Sequence, residues 1–296
     1  VGALAKVLAR RRGAAHAHWV MDVYPDVLAA HGLLRRGSFA YRALGRLARW
    51  QLTGAAGVIA LGPCMAGRLA RYRDRPAEWV ALWGEDAGGD ATEVEELRVA
   101  RGWRPGETVL MYSGHMGLAH RLGEFLDAAR RLGASGPRWI FAGGGPRRLE
   151  VEAFAAAHPE ARLELLPYVP RERLRASLAS ADVHLMSLAS GWQGLVAPSK
   201  VQAAFGVGRP VIYVGPRDSE AARWLAESGG GWIVAEGDAD GLLAAVGQAC
   251  DARERGARAA RAEAFARQHF DRARNGQRIA ELLESGARGA GAQWPG

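Results

Sequence analysis

Two stretches of this chain carry residue types that could hold a phosphate: SGHMGLAHR at 113–121 and APSK at 197–200. Gly114 and Gly117 would let the backbone approach a ligand closely, and the helix expected beyond them offers unpaired N–H groups and a positive dipole end. In the second stretch Pro198 can start a helix, Ser199 can cap it or donate its hydroxyl, and Lys200 can reach a phosphate as a point charge. Arg121 and Lys200 could then clamp a diphosphate from two sides. Each feature also has an ordinary reading, a strand-to-helix turn for the glycines and a solvated position for the cations. No carboxylate stands anywhere between Gly191 and Gly215.

Weaker candidates stand at other expected strand ends. GGGP at 143–146 has the glycines of a plain turn. PYVP at 167–170 offers backbone amides and Tyr168 at a strand end, where a flat nucleobase could be held by main-chain hydrogen bonds. Asp218, Ser219 and Glu220 open a helix, where donor contact and helix capping compete as explanations. Asp22 ends an apolar run in HWVMDVYPD and could orient an acceptor hydroxyl, or it could serve an Asp-Pro turn. His16 and His18 share a face in strand geometry, but the spacing lacks a third ligand, so no metal is expected.

The elements that must position these residues follow from periodicity. From Glu107 onward, apolar runs (TVLMYS, RWIFAGG, RLELLPY, DVHLMSL, RPVIYVG, GWIVAE) alternate with amphipathic helical patterns. That alternation predicts a parallel sheet with right-handed crossovers and ligands beyond the carboxyl ends of its strands. The first hundred residues repeat the grammar more weakly, with AHAHWVM, GAAGVIALG and EWVAL as strands. Residues 84–106 have the glycine density of an interdomain connection. Three strands are few for an independent doubly wound domain, so an earlier part of that domain is expected to be absent from the sequence. The tail after Glu284 is glycine-rich and is expected to be flexible.

The chain has 296 residues, 49% hydrophobic and 24% charged, which suits a globular protein of two domains. No apolar run approaches the roughly eighteen residues of a spanning helix. The opening VGALAKVLARRRG lacks the core and cleavage site of a signal peptide, so a cytoplasmic location is expected. Cys64 and Cys250 have no metal-ligand spacing and are expected to be buried thiols. Lys and Arg number 39 against 31 Asp and Glu, a formal charge of +8, which permits attraction to anionic lipid or a phosphorylated substrate. No nucleic-acid motif is present, and no nucleic-acid partner is expected. Lys6, Arg10, Arg11, Arg12, Arg35 and Arg36 are the residues expected to meet an anionic bilayer, with the protein peripheral to the inner face of the membrane.

Several motifs in order, SGHMGLAH, FAGGGPRR, LPYVPRERLRASLASADVHLMSL, GLVAPSK, GRPVIYVGPRDSEAARWL and GDADGLLAAV, resemble the carboxyl-terminal half of a family 4 glycosyltransferase of GT-B fold. DVYPD and GVIALGPCMAGRLA resemble the latter part of that family's acceptor-binding domain, so the resemblance covers most of residues 15–284. It implies two Rossmann-like doubly wound domains facing across a cleft, the first incomplete here: an acceptor-side domain with its linker over 1–100, a nucleotide-sugar domain over 101–270, a helix at 271–284 crossing back, and a tail at 285–296. It further implies transfer of a sugar from a UDP- or GDP-sugar to a glycan or lipid-linked acceptor, with retention and without a cofactor or metal.

Carried onto this sequence, the family's glycine-rich loop falls on Gly114, His115 and Gly117, the diphosphate cations on Arg121 and Lys200, and the base-contacting loop on Tyr168 and Val169. The family's two carboxylates, with seven residues between them before Gly-x-Pro, fall on Leu195 and Ala203. The PSK variant resembles a branch used in cell-surface polysaccharide assembly, in which Ser199 and Lys200 take over part of donor anchoring. A nucleotide-binding pseudoenzyme and a sugar-nucleotide epimerase are the alternative readings.

Overall fold

A computed structural model of the chain describes residues 2–84, 91–197 and 199–289. Pro198, expected to start a helix, lies outside the described residues, as do linker positions 85–90 and tail positions 290–296. Internal contacts divide the chain into two compact units: residues 1–82, 191–197 and 272–296 in the first, 83–190 and 198–271 in the second. The boundary expected at residue 100 therefore moves to 82/83, and a short piece at 191–197 joins the first unit.

The first unit holds α1 (Gly2–Arg12), β1 (Ala17–Trp19), α2 (Asp26–Ala30), α3 (Phe39–Leu52), β2 (Gly57–Ala60), α4 (Pro63–Leu69) and β3 (Glu78–Trp79). The strands form a parallel sheet in the order β1-β2-β3. Val58, Ile59, Ala60 and Leu61 are almost fully buried, so the middle strand anchors the unit. Ser38 caps α3 by accepting from the Tyr41 N–H at 3.2 Å. Asp26 is a buried carboxylate that accepts from the hydroxyls of Tyr41 and Tyr72 and faces Arg71 at 3.6 Å, which makes it a structural anchor. Lys6 departs from its expected place at a membrane surface: it is buried and donates to the carbonyls of Trp50 and Thr53. Arg10, Arg11, Arg12, Arg35 and Arg36 are exposed.

The second unit continues with α5 (Ala91–Ala100), β4 (Val109–Ser113), α6 (Gly123–Leu132), β5 (Arg138–Ala142), α7 (Arg148–Ala157), β6 (Leu163–Leu166), α8 (Arg171–Ala179) and β7 (Val183–Ser187). It closes with α9 (Ser199–Gly206), β8 (Val211–Val214), α10 (Glu220–Ser228), β9 (Gly231–Val234), α11 (Ala239–Cys250) and α12 (Ala252–His269). Its six parallel strands run β6-β5-β4-β7-β8-β9. Counted within the unit, this is the doubly wound order 3-2-1-4-5-6, with its switch point between β4 and β7. Helices cover both faces, so the strands read as continuous apolar runs, and Tyr112, Trp139, Phe141, Leu185 and Ile212 are essentially unexposed. The thiols depart from expectation: Cys64 is half-buried and Cys250 is exposed.

The last helix, α13 (Arg272–Gly289), belongs to the first unit and packs on β2. The expectation of a flexible tail from residue 285 fails over 285–289, which continue the helix. The reason is a close approach that only glycine permits: a Cβ on Gly286 would collide with the Ala56 carbonyl, and Ala287 beside it is buried. Among the described residues no helix is long and apolar enough to cross a membrane.

Two glycines of α13 are expected to respond oppositely to the same change. Gly276 has open space around its Cβ direction, so Gly276→Ala should gain up to about 1 kcal/mol from helix propensity. Gly286→Ala should instead lose about 1–3 kcal/mol, because overpacking against a carbonyl outweighs that gain. Urea unfolding midpoints of the two variants check this, and a stabilised Gly286→Ala would contradict the packing of α13 on β2.

Candidate functional site

Beside the switch point of the larger sheet, the loops after β4 and β5 are locked backbone to backbone through glycines. After β4, the chain passes through Gly114 at φ +114°, and after β5 through Gly143 at φ +127° and Gly145 at φ +132°. These values exclude ordinary side chains on backbone grounds alone. Space excludes them as well, since a Cβ on Gly143 would strike the Gly114 carbonyl. The loops are joined by Gly114 N–H to Ala142 O at 2.9 Å, Met116 N–H to Gly144 O at 2.7 Å and Arg147 N–H to Met116 O at 3.1 Å. The three glycines at 143–145 therefore do more than turn the chain.

The β4 loop is also fixed to the end of β7. Buried Ser187 accepts from the Arg121 N–H through its hydroxyl at 2.9 Å, and its carbonyl lies 2.6 Å from His120 Nδ1. Ala189 N–H donates to Ala119 O at 2.8 Å. Arg147 donates to the His120 carbonyl, and its guanidinium is balanced by Glu150 at 2.8 Å.

Lys200, in the first turn of α9, sends its ammonium into this frame. Its Nζ lies 3.4 Å from His120 Nε2 and 4.9 Å from the centre of the Tyr112 ring. A Cβ on Gly114 would stand only 3.5 Å from that Nζ. Burial pushes the Lys200 ammonium down to about 8. Tyr112 is itself fixed, donating its hydroxyl to the His115 carbonyl at 2.7 Å and stacking on Phe141. Ser199, next to Lys200, is exposed.

The other expected site residues divide into those that join this group and those that do not. His115 is exposed, with its Nδ1 3.5 Å from the Tyr168 hydroxyl, which also donates to Gly144 O at 3.2 Å. Gly114, His115, Gly117, Tyr168 and Lys200 thus gather on one rim, with Val169 half-buried beside Tyr168. Arg121 grows from the same loop, but its guanidinium binds Glu124 at 2.9 Å and faces Glu236 at 3.9 Å. Glu236 further accepts from Ser190 N–H, and Glu124 from Gly237 N–H. Ser219 is buried and caps α10, accepting from Ala222 N–H at 3.2 Å with the Tyr213 hydroxyl 2.8 Å away. Glu220 is buried in the first turn of the same helix.

Asp22 belongs to the first unit. It lies at the wall of a cavity of about 400 Å³ lined mainly by apolar residues, among them Trp19, Met21, Tyr24, Leu44 and Leu47. Partial desolvation pushes its carboxyl up, opposed by His31.

Sequence reasoning missed His120, Tyr112, Arg147, Glu124 and Glu236. His120 adjoins Arg121 in the quoted motif, yet its partners Ser187 and Lys200 lie 67 and 80 positions away, so no local spacing marks it.

Comparison with known proteins supports the fold. No family model matches the chain. It is similar to WbjE of Pseudomonas aeruginosa, described as a probable glycosyltransferase, with 26% identity over 79% of this chain. The match spans about 60% of the length of that curated relative. Among solved structures, Alr3699/HepE of Anabaena in complex with UDP superposes with a TM-score of 0.72 at 20% identity, over 96% of this chain and 75% of the other. WaaG, a glycosyltransferase involved in lipopolysaccharide biosynthesis, gives a TM-score of 0.66 at 17% identity, over 96% and 79%. Together with the two parallel sheets, these likenesses establish a GT-B fold built from Rossmann-like units, the first with three strands among the described residues.

Proposed function

We propose that the chain is part of a glycosyltransferase that moves a sugar from a UDP- or GDP-sugar to a glycan or lipid-linked acceptor, with retention. The observation that carries this reading is the half-buried Lys200, its ammonium desolvated against the glycine loop after β4 at the switch point of a 3-2-1-4-5-6 sheet. A desolvated cation there suits a departing nucleoside diphosphate, whose negative charge grows in the transition state and is then stabilised more than in the ground state. The probable glycosyltransferase WbjE and the UDP held by HepE support the same reading.

In this proposal Lys200 and the amino terminus of α9 receive the diphosphate. Arg121 supplies the second cation, and Gly114, His115 and Gly117 line the approach. Tyr168 and Val169 meet the base, and Ser199, Ser219 and Glu220 complete the donor rim. Asp22 orients the acceptor hydroxyl. No cofactor or metal enters the proposed reaction. The exposed arginines of the first unit contact an anionic bilayer carrying a lipid-linked acceptor, each contributing about 1 kcal/mol before salt screening. Membership of family 4 and of its polysaccharide-assembling PSK branch belongs to the same proposal.

Lys200→Ala should weaken UDP binding by roughly 1.5–3 kcal/mol, the scale of hydrogen bonds to charged groups. Calorimetric titration showing wild-type affinity in this variant would remove the central residue of the proposal. Incubation with a panel of nucleotide sugars and acceptors separates the readings: a glycosylated acceptor supports transfer, binding without product marks a pseudoenzyme, and an inverted sugar without acceptor marks an epimerase.

The pH dependence has two opposite signs. Lys200 titrates at about 8 in the unliganded fold against 10.5 for a free lysine, so UDP affinity should fall as pH rises through about 8 and the ammonium is lost. The unfolded chain binds more protons than the native one between those values, so the Lys200 contribution to unliganded stability should improve over the same rise. Titrations and unfolding midpoints from pH 7 to 10, compared with Lys200→Met, check both directions.

A further inference from the structure

We infer that His120 is a positioning residue for Lys200: a neutral imidazole, locked in one tautomer by the end of β7, that accepts a hydrogen bond from the ammonium and holds it at the diphosphate seat. The inference rests on the proposed role of Lys200 as the diphosphate cation.

The proton inventory fixes the arrangement. The Ser187 carbonyl can only accept, so the 2.6 Å contact requires the proton on His120 Nδ1. In the neutral ring Nε2 then carries a lone pair, and it faces Lys200 Nζ, which can only donate. A protonated imidazolium would set two N–H groups of like charge against each other. Burial and then the Lys200 charge push His120 down to about 4, so the ring stays neutral across the working range. The ring cannot easily turn away, because its edge packs on Tyr112 with centroids 5.6 Å apart and the Arg147 guanidinium holds the His120 carbonyl.

The arrangement also explains how an ammonium sits here without a carboxylate. Lys200 is held by a lone pair and by the face of Tyr112 at 4.9 Å, contacts that fix its position and leave its charge uncompensated. A paired carboxylate would hold the lysine as well, but would cancel the charge that a diphosphate needs. The groups facing His120 are Lys200 from α9, Tyr112 from β4, Ser187 from β7, His115 from its own loop and Arg147 from the turn before α7. Among the described residues none of these is a carboxylate, and the Ser187 carbonyl, which favours a charged ring, is outweighed by burial and the Lys200 charge.

The test uses the 296-residue chain and UDP. His120→Leu keeps bulk and removes the acceptor, so UDP affinity should fall about fivefold to tenfold at pH 7.5, the scale of one hydrogen bond. The alkaline loss of binding should also move to lower pH, because a less solvated Lys200 deprotonates earlier. His120→Gln, whose amide oxygen can replace Nε2, should bind within about threefold of wild type and keep the wild-type alkaline limb. In a Lys200→Ala background, His120→Leu should cost nothing more. Wild-type affinity in His120→Leu, or an undiminished loss in the Lys200→Ala background, overturns the inference.

A ring nitrogen NMR spectrum of the unliganded wild type must show the Nδ1–H tautomer at neutral pH, a readout that needs no variant to fold. The other tautomer overturns the positioning role whatever the titrations show. If Lys200→Ala binds UDP normally, the diphosphate reading itself has failed, and the positioning inference falls with it.

Discussion

Gly143 lies so close to the Gly114 carbonyl that neither loop can shift without the other. This contact is the constraint from which the rest of the rim follows. It sets the course of 114–121, and that course decides where His120 meets Ser187 and how deep Lys200 can reach. A side chain at 143 would push the β4 loop outward and open the space the ammonium fills. The glycines matter here for the volume they leave empty as much as for their dihedral freedom.

Charge placement in this rim follows one pattern. Arginines that hold the scaffold are neutralised locally, Arg147 by Glu150 and Arg148 by Glu152. Lys200 has an imidazole and a phenol ring as neighbours. A cation kept in a poorly solvated place without an anion stores unfavourable free energy that an arriving anion releases. The stretch 191–215 without a carboxylate is consistent with that economy of charge.

Much of the fold was legible in the sequence for a physical reason. Parallel strands covered on both faces must be apolar throughout, so TVLMYS, RWIFAGG and DVHLMSL announced β4, β5 and β7 directly. The glycine turns and Lys200 could be assigned to strand ends because alternation places them there. What was not legible depends on partners far away in sequence. Lys6 looked like a surface cation until Trp50 and Thr53 claimed it, and the Glu236 carboxylate that faces Arg121 comes from a far part of the chain. Residues 285–289 read as tail because glycine lowers helix propensity, while the Ala56 carbonyl that demands Gly286 is invisible to any local pattern.

The placement of α13 has a consequence for the order of events during synthesis. Because the first unit takes residues from both the early chain and 272–289, the second unit is in effect an insertion within it. On a ribosome, β4 to β9 and their helices emerge as one continuous stretch and can fold before the first unit has its last helix. The helix that packs on β2 is made only after β4 to β9 and their helices, so the first unit must wait for it with part of its sheet uncovered.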